Sequence, residues 1–178
     1  YLLLLILIAS QHCQSQAWQW GKAEPLMAEG YGVCNDPAGN AYLTGQASSS
    51  AIIGSSTVNP GIILIKYDPN GNLLWLKNFA CQMGAYGFDI CCDKNGNVFL
   101  AGAYGSSITI GSNTYTTAGA GAILIKLNSS GTILWSNVYN GSPSASGSGV
   151  STDPAGIYFF TFKGNSQTRT IKVIKAAN

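Results

Sequence analysis

The stretch Ile62–Trp75, IILIKYDPNGNLLW, returns 60 residues later as Ala122–Trp135, AILIKLNSSGTILW. Upstream of each lies a second matched segment. Val33–Gly45, VCNDPAGNAYLTG, pairs with Ile90–Gly102, ICCDKNGNVFLAG, at an offset of 57, and Val150–Phe162, VSTDPAGIYFFTF, follows another 60 on. The third copy closes on Thr170–Asn178, TIKVIKAAN, a shorter counterpart that keeps the Ile/Val–Lys ending. Agreement at several places with one spacing marks an internal repeat, whose units bury their apolar faces against their neighbours.

Each unit reads as four strands. In the second these are Leu73–Phe79, Tyr86–Cys92, Val98–Tyr104 and Ala122–Leu127, with a Gly/Ser/Thr-rich excursion, Gly105–Gly121, holding a small hairpin around Ile108–Tyr115. Short runs of β-branched and aromatic residues bounded by Gly, Asn, Asp and Pro are strand signals, and no useful window has helical periodicity. The connections Asp36–Asn40, Asp68–Asn72 and Asp93–Asn97 put Asp where its carboxylate bonds amides further along the turn. Pro37 and Pro69 preset φ, and Gly39, Gly71 and Gly96 accept φ > 0. The expected class is all-β, in four-stranded antiparallel units over roughly 18–72, 73–131 and 132–178.

The order D-x-x-G-N-(A/V)-(Y/F)-(L/V)-(A/T)-G, a Gly/Ser-rich stretch, I-L-I-K, then G-x-(L/I)-L-W resembles the SBBP-type β-propeller repeat family of exported proteins in Bacteroidetes and related bacteria. The resemblance spans nearly all of Trp18–Asn178. It implies a partial propeller of about three blades, open or incomplete, and carries no catalytic set. Asp36, Asp93, Asp153, Gly39, Gly96, Gly156, Trp75, Trp135, Lys66 and Lys126 are its repeated structural positions. The third unit departs by having Ile157 where the others have Asn, and by its short excursion. A propeller closes with about 4–8 blades, so three sheets imply an open arc, further blades, or self-association through open edges.

Composition narrows the function classes. Only 9% of residues are charged and the formal net charge is +2, with no basic run to track phosphates, so nucleic acid is a poor partner. The one histidine, His12, lies in an N-terminal segment read as a signal peptide, 1–17. Tyr1–Ala9 is an apolar core too short to span a bilayer, and Ala17 is the preferred last residue. With neither Met nor a basic n-region ahead of it, the recorded chain is expected to begin inside its reading frame. A mature chain without His builds neither a Ser–His–Asp site nor a His-ligated metal centre.

Asp68/Asn70/Asn72 and Asp93/Asn95/Asn97 have the opening spacing of a calcium loop, but its twelfth position falls on Phe79 and Tyr104, so these are turns and no metal is assigned. Glu29 and Asp89, with Glu24, are the carboxylates the turns do not explain, and the first two are the weak functional candidates. Cys34, Cys81, Cys91 and Cys92 allow three pairings. Cys81 with Cys91 or Cys92 is the most easily reached, and buried free thiols are the alternative. Trp75 and Trp135 pack between sheets, Lys66, Lys126 and Lys175 read as solvated strand ends, and Tyr104, Tyr115 or Tyr139 could stack on sugar, with packing the favoured reading.

The expected function is an exported, non-catalytic scaffold without cofactor, at the cell surface or beyond. It would present the Gly/Ser segments Ala47–Gly61 and Gly105–Gly121 to an extracellular protein or glycan. The alternatives are part of a carbohydrate-active enzyme or lectin whose site needs further blades, and a structural or adhesive repeat.

Overall fold

The computed structural model describes residues 28–140, 145–153, 158–164 and 167–173. The expected signal segment, Trp18, Trp20, Glu24, Gly156 and Lys175 lie outside them. The described residues contain no helix. Sheet 1 is the antiparallel meander β1 (Ala28–Asn35), β2 (Ala41–Ala47), β5 (Gly61–Tyr67) and β6 (Leu73–Ala80), with the hairpin β3 (Ala51–Ile53) and β4 (Ser56–Val58) between β2 and β5. Sheet 2 runs β7 (Ala85–Cys92), β8 (Val98–Ile110), β9 (Asn113–Leu127) and β10 (Ile133–Asn140). Sheet 3 holds β11 (Ala145–Thr152), β12 (Tyr158–Gly164) and β13 (Gln167–Val173). The described sheets do not close into a ring. They are phased one strand away from the sequence units, because the Trp-bearing strand β6 completes the sheet that precedes it.

The IILIK and AILIK runs do not alternate because both of their faces are covered. From β5, Ile62 and Leu64 join Ile90, Leu100, Ile123 and Ile125 in a core between sheets 1 and 2, whereas Ile63 and Ile65 pack with Ile53 and Val58 of the β3–β4 hairpin. The other face of sheet 2 contributes Phe99, Ala101 and Leu124 to a second core with Ala145, Val150 and Phe160 of sheet 3. The Gly/Ser segments are therefore built structure. Gly105–Gly121 continues β8 and β9 as one long hairpin, and its Ile108 and Ile110 are buried.

Four turns share one design. In Asp36–Asn40, Asp68–Asn72, Asp93–Asn97 and Asn128–Thr132, the first residue's Oδ1 accepts the amides two and four residues on, at 2.8–3.1 Å. The glycine at the fourth position has φ of 81°, 81°, 73° and 81°, where a side chain is strained. Asn128 makes the turn without a charge, so the oxygen rather than the carboxylate is what the turn requires.

Lys66 and Lys126 are not solvated ends, being only 5% and 6% exposed. Lys66 Nζ pairs with Asp36 Oδ2 at 3.4 Å, lies 4.9 Å from the Tyr42 ring centroid and donates to Ser129 O of sheet 2 at 3.0 Å. Trp75 Nε1 donates to the same carbonyl at 3.2 Å, so both side chains tie sheet 1 to sheet 2. Lys126 lies likewise over Phe99. Cys81 pairs with neither Cys91 nor Cys92. The disulfide joins Cys34 of β1 to Cys92 of β7, in different sheets, and Cys81 and Cys91 remain thiols. Cys81 is held away by its Sγ, which donates to Gly84 O and Gly105 O.

Candidate functional site

The leading strands β1, β7 and β11 each pair on one side only among the described residues, and β7 packs on β1 while β11 packs on β7. Their free edges run side by side. Each carries a bulge at the same place, between Gly30 and Gly32, Gly87 and Asp89, and Gly147 and Gly149. The bulge leaves one residue out of register and re-aims it. Those residues are Tyr31, Phe88 and Ser148. One rung away, Glu29, Tyr86 and Ser146 occupy a second equivalent position, opposite Gln46, Ala103 and Lys163.

The first two strands bring their side chains together. The Tyr31 ring lies 6.3 Å from Tyr86 and 5.7 Å from Phe88, tilted by about 60° to both. Tyr86 and Phe88 are parallel within 4°, with centroids 5.5 Å apart. The Tyr31 hydroxyl donates to Glu29 Oε2. That bond to a carboxylate, with slight burial and the adjacent charge, pushes the Tyr31 ionisation up to about 12. Gly45 permits this edge, since a Cβ there would lie 2.0 Å from the Glu29 carbonyl oxygen. Gly102 does the same against Tyr86 at 2.3 Å.

Glu29 and Asp89, paired in the sequence as the unexplained acids, have different situations. Glu29 is exposed beside the rings. Asp89 is half-buried and bridges sheets: its Oδ1 accepts Ile90 N and its Oδ2 accepts Val150 N from β11, both at 2.8 Å. It thereby satisfies an edge amide that a strand would otherwise leave to water. The turn acids are similarly occupied. Asp36 takes the Asn40 amide and side chain, the Ala38 amide, the Tyr42 hydroxyl and Lys66. Asp93 accepts from Asn95 and Asn97, and Asp153 also has a partner.

Tyr104, Tyr115 and Tyr139, weighed for sugar stacking with packing as the favoured role, are not brought together. Tyr104 is buried and donates to Asn140 Oδ1 at 2.7 Å, Tyr115 is half-buried against Ser136, and only Tyr139 is exposed. Burial pushes the Cys91 thiol up to about 12, aided by the Asp89 charge, so it is a poor nucleophile. A shallow cleft between Asn59, Pro60, Cys81, Gln82, Ser107 and Thr109 holds no charged group. Among the described residues no group of three or more His, Cys, Asp or Glu is placed to hold a metal ion.

Tyr31, Tyr86 and Phe88 escape a reading based on the long matched segments, yet their strands carry a legible signal of their own. Ala28–Cys34 is AEGYGVC, Ala85–Cys91 is AYGFDIC and Ala145–Ser151 is ASGSGVS. The shared frame is A-x-G-x-(G/D)-(V/I)-(C/S), and the two unconstrained places are the ones described above. No known family model matches the chain, and no curated protein matches it.

Proposed function

We propose that the chain is an exported, non-catalytic binding scaffold of β-propeller-type blades, and that it binds through the shared edge of β1, β7 and β11. The observation that carries the reading is where the repeat lets its residues vary. Turn acids, turn glycines and core residues recur from unit to unit, whereas the two edge positions run through Glu29, Tyr86 and Ser146 and through Tyr31, Phe88 and Ser148. A position that accepts glutamate, tyrosine or serine in one backbone frame is not dictated by packing. The blade reading is supported by meander sheets stacked face to face on their leading strands. Export is supported by the disulfide between Cys34 and Cys92, a bond that persists in oxidising compartments.

A glycosidase needs two carboxyl groups facing each other across a bound sugar. Asp89 is held in place as a bridge by an amide on each oxygen, one of them from the next sheet, which supports a structural role for it over a catalytic one. The test applies the full chain to arrays of glycans and of extracellular proteins, beside hydrolysis assays on the same polysaccharides. Retention on an array without turnover is the expected result. Polysaccharide hydrolysis abolished by Glu29→Gln or Asp89→Asn would establish an enzyme instead.

A further inference from the structure

We infer that the step formed by Tyr31, Tyr86 and Phe88 takes the apolar face of a neutral pyranose ring, with Glu29 accepting its hydroxyl groups. The inference rests on the binding reading above and narrows it to one ligand class. A pyranose has a flat C–H face and a hydroxyl edge, so it needs an aromatic surface beside a hydrogen-bond acceptor. Both are adjacent here. Tyr31, 39% exposed, is in contact with the other two rings. Its hydroxyl occupies Oε2 of the exposed Glu29, and no other described residue bonds that carboxylate. An ionised carboxylate has about four acceptor directions, so Glu29 retains capacity for a ligand.

The rival ligand for aromatic rings beside a carboxylate is an organic cation caged between facing rings, and the spacing argues against such a cage. A group held between two ring faces needs each at about 3.5–4 Å, hence about 7–8 Å between the faces. Tyr86 and Phe88 are parallel with centroids only 5.5 Å apart. They form a step to lie on rather than a box to enter. Beside the step, Gly84 has φ 69°, which favours glycine, and a Cβ there would make ordinary contact with the Tyr86 hydroxyl at 3.5 Å. In β11 the equivalent positions are Ser146 and Ser148, so the backbone frame forms without the rings.

Saturation-transfer NMR of the full chain tests this directly, with methyl glucoside, methyl galactoside and methyl mannoside as probes and tetramethylammonium as the cationic comparison. Transfer is expected from the aromatic resonances to the ring C–H protons of at least one pyranoside. Tyr86→Ser and Phe88→Ser, which copy β11, should abolish it, and Glu29→Gln should weaken affinity about tenfold by removing a charged acceptor. Phe88→Leu, which keeps apolar volume and removes the ring face, replaces Phe88→Ser if that variant does not fold. Transfer to tetramethylammonium alone, pyranoside transfer that survives the variants, or no transfer at all would each overturn the inference. If the array shows a protein ligand that requires the three rings, the scaffold reading stands without the sugar. If nothing is retained, both fall.

Discussion

Asp36 and Asp68 make the same turn and differ in what lies behind it. Burial alone would raise the Asp36 carboxyl, but the Asn40 side chain and amide, the Tyr42 hydroxyl and Lys66 outweigh it and hold the group below its ordinary value. The Asn72 side chain and amide hold Asp68 down similarly, at the surface. A carboxyl whose folded pKa is depressed adds stability that is complete above its unfolded value of about 3.9 and is lost as pH falls through the lower folded value. Denaturant unfolding followed down a pH series should therefore weaken below about pH 4, with a shallower acid limb in Asp36→Asn. At neutral pH, Asp36→Ala should cost about 3–5 kcal/mol, because Lys66 is left buried without its counter-charge. A loss no larger than that of Asp68→Ala would show the pair to be incidental. At the edge, Glu29→Gln should return Tyr31 from about 12 toward its ordinary value of 10.0. An NMR titration of the Tyr31 ring reads this, and an unmoved midpoint would place the cause elsewhere.

The strands β1 and β7 meet through the Cys34–Cys92 disulfide, which closes a loop of 58 residues. By the chain-entropy argument a loop of that size is worth about 4 kcal/mol, with engineered and native cases usually giving about 2–4. The double variant Cys34→Ser, Cys92→Ser should lose stability in that range when unfolding is followed without reductant; no loss would mean the two sheets hold together by packing alone. The pairing was not legible from chain proximity. Cys81 stands closest to Cys91 and Cys92 along the sequence, but its side chain turns to Gly84 and Gly105, while β1 lies against β7 because the repeat stacks whole sheets. Strands and turns were legible because their signals are local: Asp, Asn and Gly at fixed places in a turn, β-branched runs between them. The burial of Lys66 was not, since it depends on Ser129, which arrives from the next sheet 63 residues away.

At the scale of the molecule, equivalent residues meet different surroundings. Val33, Ile90 and Val150 hold one place in the repeat, yet Val33 is 69% exposed while Ile90 and Val150 are 4% and 6%. Ile90 is covered by sheet 1 and Val150 by sheet 2. Ile90→Ala should then cost about 2–5 kcal/mol, and Val33→Ala should stay within about 0.5 kcal/mol as a surface change. Equal losses would mean that another surface covers Val33. The repeat made this stacking readable in outline. The candidate site was less so, because Tyr31, Tyr86 and Phe88 are separated along the chain and share an edge only through the stack. If those rings serve a ligand and not the fold, replacing them removes binding and leaves folding intact. The most direct test compares the full chain with Tyr31→Ser, Tyr86→Ser, Phe88→Ser on one array, with thermal unfolding of both. Array retention should disappear while a single cooperative unfolding transition remains. Retention unchanged in the variant, or a variant that no longer unfolds cooperatively, would contradict that role for the rings.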